Sequence, residues 1–274
     1  MKYLKFLLLL FIITSTSFPK TINESTKSFI YEIVSPNLGG GTGFAVTDSL
    51  LGPFLITCKH VVQDSIGNYI DSVFVRRNKM LPTGQIVSDT SAFILRLKVK
   101  GHSLFVEHPN PDVDLIMIPL SSLNTTISSN ESLPRLYSRF VLSKDQIAEL
   151  GLDEGTTIEL IGFALSPALS PNTTHYHFSR FGKIGLYTTN EFTLLINKKF
   201  KTANYILLDM IIRPGDSGSP IFAHIDSNVY LIGFVAGYSP KIEYGIAYPV
   251  YYLHDLMKAV RDTLSILLKQ EKGK

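Results

Sequence analysis

Residues 214–220 read Pro-Gly-Asp-Ser-Gly-Ser-Pro. Ser217 lies between Gly215 and Gly218, directly after Asp216. A turn of such small residues can present the serine hydroxyl outward while nearby backbone N–H groups converge on one point. An exposed Oγ beside fixed N–H donors is what acyl transfer requires of a nucleophile. A serine hydroxyl is unreactive without a base. Among the seven histidines, His60 ends the run Phe54-Leu-Ile-Thr-Cys-Lys-His, where an apolar strand stops and a cleft can form. A lone histidine is more often structural, but beside the Ser217 turn the base reading is favoured. The base in turn needs an orienting carboxylate. The segment His108-Pro-Asn-Pro-Asp-Val-Asp-Leu-Ile-Met-Ile118 offers two. Asp114 leads straight into an apolar strand and is expected to be partly buried, whereas Asp112 sits in a Pro-rich turn open to solvent. The expected set is His60, Asp114 and Ser217.

These residues must be held by β-structure. Short β-branched or aromatic runs recur at Ser28–Val34, Thr42–Thr47, Phe54–Thr57, Ser72–Arg77, Phe93–Val99 and Leu115–Pro119. Gly39-Gly40-Gly41, Gly52-Pro53, Gly67-Asn68 and Pro109-Asn110-Pro111 punctuate them. A second series covers Thr156–Gly162, His175–Gly185, Glu191–Ile196, Tyr205–Met210, Pro220–His224, Leu231–Gly237 and Tyr244–Pro249. Many short strands at this spacing predict a sandwich or barrels. Between the series, Ser143-Lys-Asp-Gln146 has the form of a capping box for one short helix ending at Gly151. After Pro249, apolar residues at Leu253, Leu256, Met257, Val260 and Leu264 keep helical spacing and predict a C-terminal amphipathic helix facing the core. The expected division is a leader over 1–17, a first β unit over 28–122, a connection over 123–152, a second β unit over 153–250, and a helix with its tail over 251–274.

The leader reading rests on Met-Lys-Tyr-Leu-Lys, an uncharged apolar run Phe6–Thr14, and Ser15-Thr-Ser17, the pattern of a secretory signal peptide. The run is too short to span a bilayer. Loss of Lys2 and Lys5 brings 26 basic residues to about 24 against 23 acidic ones. No basic tract points to nucleic acid or to a membrane surface. Cys58 is the only cysteine, so no internal disulfide forms and the fold must stand on its core. Export is expected, to a periplasm or the exterior, with no lasting membrane association.

The chain resembles trypsin-like serine peptidases of the chymotrypsin fold, and among them the Htr/Deg-type bacterial branch. The order His60, Asp114, Ser217 is the chymotrypsin-type one. Gly41-Thr-Gly-Phe-Ala-Val46 resembles the branch's Gly-x-Gly-Phe strand, and Thr57-Cys-Lys-His60 its Thr-Ala-x-His motif. Asp114-Leu-Ile resembles Asp-Leu-Ala, and Leu160-Ile-Gly-Phe163 an Ile-Gly-aromatic strand. Asp209 through Pro220 and Tyr244 through Val250 resemble the nucleophile segment and the Gly-Phe-Ala-Ile-Pro-Val strand. The resemblance covers about residues 28–250. It implies an all-β fold of two six-stranded antiparallel barrels with a C-terminal α-helix, and a serine endopeptidase acting on proteins or peptides without metal or cofactor. His60 would serve as base, Asp114 as orienter, and the N–H groups of Gly215 and Ser217 as oxyanion hole.

The departures also carry meaning. Cys58 replaces a small alanine and reads as an apolar filler. Asp216 stands where the branch has Asn; in trypsin-like zymogens that Asp pairs with a freed N-terminus. Ile33-Val34 lacks the Gly-Gly that would make it such an N-terminus, so the need for activation is left open. The position at the base of the primary pocket, by analogy with trypsin, is Ile211. With no carboxylate there, an Arg or Lys side chain would be buried unpaired. Pocket walls are expected from Ile211, Arg213, Val235, Ala236 and Gly237, and cleavage after small or medium aliphatic residues. His177 raises a glutamate-specific alternative, and a catalytically silent peptide-binding module or an esterase would share the same fold. A metal site at His175 and His177 is disfavoured further still.

Overall fold

The computed structural model describes residues 27–35, 39–80, 86–88, 92–122, 135–164, 177–196, 199–239 and 241–272. The leader and His175 lie outside them. The first unit is a nine-stranded sheet with a small separate hairpin. Its long strands are β1 (Ile30–Ser35), β2 (Gly39–Asp48), β3 (Gly52–Thr57) and β4 (Ser72–Met80). Shorter strands are β5 (Ile86–Ser88), β6 (Phe93–Arg96), β7 (Lys98–Val99), β8 (His102–Ser103), β9 (Val106–Glu107), β10 (Ile116–Pro119) and β11 (Leu136–Tyr137). The order is β5-β4-β1-β2-β3-β10-β9, with β6 on β4 and β11 on β2, while β7 and β8 pair apart. β2 is the centre. Phe44 faces Ile30 on one neighbour and Ile56 on the other, and all three side chains are fully buried. Burying each contributes about 1.5–3 kcal/mol.

This sheet differs from the expected six-stranded barrel. Among the described residues no ladder closes it. β9 has two residues, and the β6–β7 run on β4 meets the β8–β9 run on β10 only through the short β7–β8 pair, extended by Leu104 N–H to the Leu97 carbonyl (2.8 Å). The expected strand Phe93–Val99 divides into β6 and β7 at Leu97, whose N–H turns instead to the Asp71 carbonyl.

The second unit closes. β12 (Thr157–Gly162), β13 (Phe178–Tyr187), β16 (Ile206–Asp209), β19 (Tyr244–Pro249), β18 (Asn228–Ser239) and β17 (Pro220–Ile225) form a barrel in that order. Ile158, Leu160, Ile206, Leu208, Ile221 and Val235 share its inner face, while Phe234 and Tyr248 pack on the opposite face, and all are fully buried. A separate hairpin of β14 (Phe192–Ile196) and β15 (Lys199–Ala203) leaves the barrel between β13 and β16. β15 escapes the sequence pattern because Lys-Phe-Lys-Thr-Ala has two lysines and a 76 % exposed Phe200 in place of an apolar run.

The short helix is α1 (Lys144–Glu149). Ser143 Oγ accepts the Gln146 N–H and Gln146 Oε1 accepts the Ser143 N–H, the reciprocal bonding expected from the sequence. The C-terminal helix α2 (Tyr251–Lys272) buries Leu253, Leu256 and Met257. It is fastened at Tyr252, whose hydroxyl accepts the Asn204 N–H (2.9 Å), and at Arg261, which pairs with the buried Asp48 of β2. Among the described residues no helix is long and apolar enough to cross a membrane.

Candidate active site

His60 lies in a single 3-10 turn (Lys59–Val62) that follows β3. Its Nδ1 is 2.7 Å from Asp114 Oδ2, and its own backbone N–H reaches Asp114 Oδ1 at 3.3 Å. Nδ1 therefore donates, which leaves Nε2 as the acceptor. Asp114 is 2 % exposed. Burial alone would push its carboxyl up, but His60 and Lys201 hold it well below the usual carboxylate range. Lys201 Nζ, from β15, stands 3.6 Å from Oδ2. Asp112 is spent elsewhere: its Oδ2 accepts the Thr202 N–H (3.0 Å) and its carbonyl accepts the Tyr248 hydroxyl (2.9 Å).

The Ser217 turn is tied to the same crevice through the Val235 carbonyl. That oxygen accepts the Gly218 N–H (2.8 Å) from one side and the Cys58 thiol (3.2 Å) from the other. The residue after the serine and the residue two before the histidine thus share one acceptor. Gly218 has φ +84°, and a Cβ there would stand 2.1 Å from the Thr42 carbonyl oxygen, so the position excludes any side chain. Gly215 also has positive φ, +93°. Ser217 is half-buried. Among the described residues, the N–H groups of Gly215 and Ser217 have no acceptor, while those of Asp216, Gly218 and Ser219 are bonded. Two free donors flank the serine as an oxyanion site would need.

Thr42 of β2 braces this turn from the first sheet, a role the sequence reading missed. Its N–H donates to the Ser217 carbonyl and its hydroxyl to the Gly215 carbonyl, both at 2.8 Å. The hydroxyl also accepts the Phe163 N–H (2.8 Å), and the Thr42 carbonyl accepts the Thr57 hydroxyl (2.8 Å). Thr42→Val keeps the shape but strands a buried N–H and a carbonyl. A destabilisation of about 1–3 kcal/mol is expected, with a parallel fall in turnover, read by thermal denaturation and steady-state kinetics. An unchanged melting temperature would show that the brace carries no weight.

Asp216 is fully buried and ion-pairs with Arg180 of β13. Its Oδ2 also accepts the Arg213 N–H (2.6 Å). Burial pushes the carboxyl up, against the pull of that N–H and the guanidinium. Arg180 Nη1 donates to the Ile211 carbonyl (2.8 Å), so one side chain grips both ends of the 211–216 loop. Arg180 was not singled out in the sequence.

Of the expected pocket residues, Ile211 is 72 % exposed and Arg213 is exposed. Val235 and Ala236 bury their side chains fully, and Gly237 is half-buried. Ala236 is the extra residue of a bulge between the pairs Val235–Ala247 and Gly237–Ile246. His177 packs edge-on against Phe163, ring centres 6.2 Å apart. Cys58 Sγ, a His60 nitrogen and an Asp114 oxygen lie within 4.8 Å of one another. Each of the three side chains already has a partner within the protein. Burial pushes the thiol far up and it donates to a carbonyl, while Asp114 is already engaged by His60 and Lys201.

No protein-family model and no curated protein matches the sequence. Among solved structures, the chain is similar to the Rv3671c protease in an inactive form, at 16 % identity and a TM-score of 0.50, over 86 % of this chain and 90 % of that one. The chain has the chymotrypsin-like fold. A second structure of that fold, an inactive serine-to-alanine mutant of Rv3671c from M. tuberculosis H37Rv, is 16 % identical with a TM-score of 0.49 over 90 % of this chain and 96 % of that one. In the chymotrypsin-like fold seen here, the His60–Asp114 pair comes from the first unit and the Ser217 turn from the second.

Proposed function

We propose that this chain is an exported serine endopeptidase, working in a periplasm or outside the cell through His60, Asp114 and Ser217. The observation that carries the reading is the 2.7 Å His60–Asp114 bond beside a serine turn whose two flanking N–H groups have no acceptor among the described residues. Ser217 Oγ attacks the peptide carbonyl carbon as His60 Nε2 takes its proton. The N–H groups of Gly215 and Ser217 hold the oxyanion. His60 returns the proton to the leaving amine as the C–N bond breaks, leaving an acyl-serine. Water then attacks, gives its proton to His60, and the serine is freed. Asp114 keeps the tautomer and stabilises the imidazolium.

Cleavage after small or medium aliphatic residues fits a loop with no free carboxylate: Asp216 is sealed away by Arg180. Nothing observed at His177 favours glutamate, since its ring packs edge-on against Phe163. A fluorophosphonate is expected to add its phosphorus to Ser217 Oγ, read as a mass shift on the peptide bearing that residue. A protein that stays unlabelled near neutral pH would instead be a silent binding module. The cleavage sites in a peptide library then report the pocket, and a preference for Arg, Lys or Glu would overturn the aliphatic reading.

A further inference from the structure

We propose that Lys201, carried on the β14–β15 hairpin, is a positioning residue of the active site that sets how far into acid the His60 base keeps working. The inference rests on the proposed triad and deepens it. Lys201 Nζ lies 3.6 Å from Asp114 Oδ2, the same oxygen that takes the His60 Nδ1 proton. Its side chain is only 14 % exposed, and that of Asp114 3 %. Neither charge is held in open solvent, so their interaction is screened far less than a surface pair.

The placement is built rather than incidental. The Lys201 carbonyl accepts the Tyr205 hydroxyl (3.1 Å), and the next residue, Thr202, donates its N–H to Asp112 Oδ2 (3.0 Å). Asp112 is itself anchored by Tyr248. The hairpin belongs to the second unit, while Asp112 and Asp114 belong to the first. Two adjacent residues of β15 thus meet both acids of the Asp112–Asp114 segment, one through backbone and one through charge.

The other groups facing Asp114 do not duplicate this cation. Cys58, Tyr69, Tyr205 and Tyr248 all have their acid groups pushed up by burial and stay neutral at working pH. Lys59, beside His60, turns to Glu107 at 3.5 Å. Among the described residues, Lys201 is the only lysine or arginine in ion-pair range of Asp114.

The consequence has a definite sign. A carboxylate beside imidazole favours the imidazolium; a cation on that carboxylate offsets part of the attraction. The Lys201 charge thus bears on the Asp114–His60 couple through the one oxygen that both side chains meet. Lys201 also stabilises the ionised form of Asp114, so the orienting bond to Nδ1 survives in acid. Removing Lys201 therefore moves the acid limb of activity to higher pH.

The test measures the rate of phosphonate labelling at Ser217, and kcat/KM on one peptide, from pH 4 to 9 in wild type, Lys201→Met and Lys201→Arg. Lys201→Met is expected to shift the acid-limb midpoint upward by about one pH unit, with the alkaline plateau changed less than about tenfold. Lys201→Arg is expected to keep the wild-type midpoint. If Lys201 only steadies the hairpin, Lys201→Met lowers the rate at every pH with the midpoint unmoved, and the proposal is overturned. Should the Met variant fail to fold, Lys201→Gln serves the same comparison. Wild type that never labels at Ser217 overturns the triad reading itself, a result distinct from labelling with an unmoved midpoint.

Discussion

Ser217→Ala is expected to lower kcat at least ten-thousand-fold, roughly, while the melting temperature stays within about a degree of wild type. The hydroxyl is the proposed nucleophile, and its loss leaves only the oxyanion donors and substrate binding to work on. The turn itself is held by backbone groups: the Ser217 carbonyl by Thr42, the Gly218 N–H by Val235, the Ser219 N–H by Asp216. None involves Oγ, so the fold has no reason to change. Asp114→Asn should produce a loss of about ten-thousand-fold by a different route. The amide can present its NH₂ to Nδ1, which turns the imidazole to the wrong tautomer and removes the negative charge that supports the imidazolium. The two losses together should be far smaller than their product, because they disable one unit. Full activity in Ser217→Ala would abandon the serine mechanism altogether.

The second large effect is expected at Arg180. Arg180→Met leaves Asp216 buried with its charge held only by the Arg213 N–H; Oδ1 has no hydrogen bond among the described residues. Breaking a buried pair from one side costs about 3–5 kcal/mol. For a chain of this size that is a drop in melting temperature of roughly 10 °C. Turnover should fall further than stability suggests, because Arg180 also holds the Ile211 carbonyl. A misplaced oxyanion donor alone costs about a hundredfold or more in kcat. The double variant Arg180→Met with Asp216→Asn should regain much of the melting temperature without regaining full turnover. If Arg180→Met melts and turns over like wild type, the pair is incidental and Asp216 must have another partner. The pairing also bears on activation: the acid that a freed N-terminus serves in trypsin-like zymogens is here met by a residue of the barrel itself.

The sequence exposed what depends on local order. The Ser143–Gln146 box, the strand Tyr244–Pro249 and the apolar spacing of α2 are each written in consecutive residues, and each forms as read. His60 and Asp114 could be paired because one closes an apolar strand and the other opens one, and antiparallel neighbours β3 and β10 bring those ends together. Arg180, Thr42 and Lys201 were hidden for the opposite reason. Arg180 reaches Asp216 only because β13 and β16 pair Lys183 with Asp209, which carries the loop after β16 across the Arg180 side chain. Thr42 sits in a motif noted for its glycines, yet its hydroxyl finds its partners in the other unit. Lys201 lies on a strand too polar to be recognised. The open first sheet was concealed likewise: its edge depends on β9 and on Leu97 turning aside, neither of which periodicity marks.

The single thiol has a use beyond filling space. Cys58 is fully buried, and its S–H points across the seam to the Val235 carbonyl. An alkylating reagent can reach that sulfur only when the two units part. The rate of Cys58 alkylation under native conditions would therefore report how often the seam between the units that carry His60 and Ser217 opens.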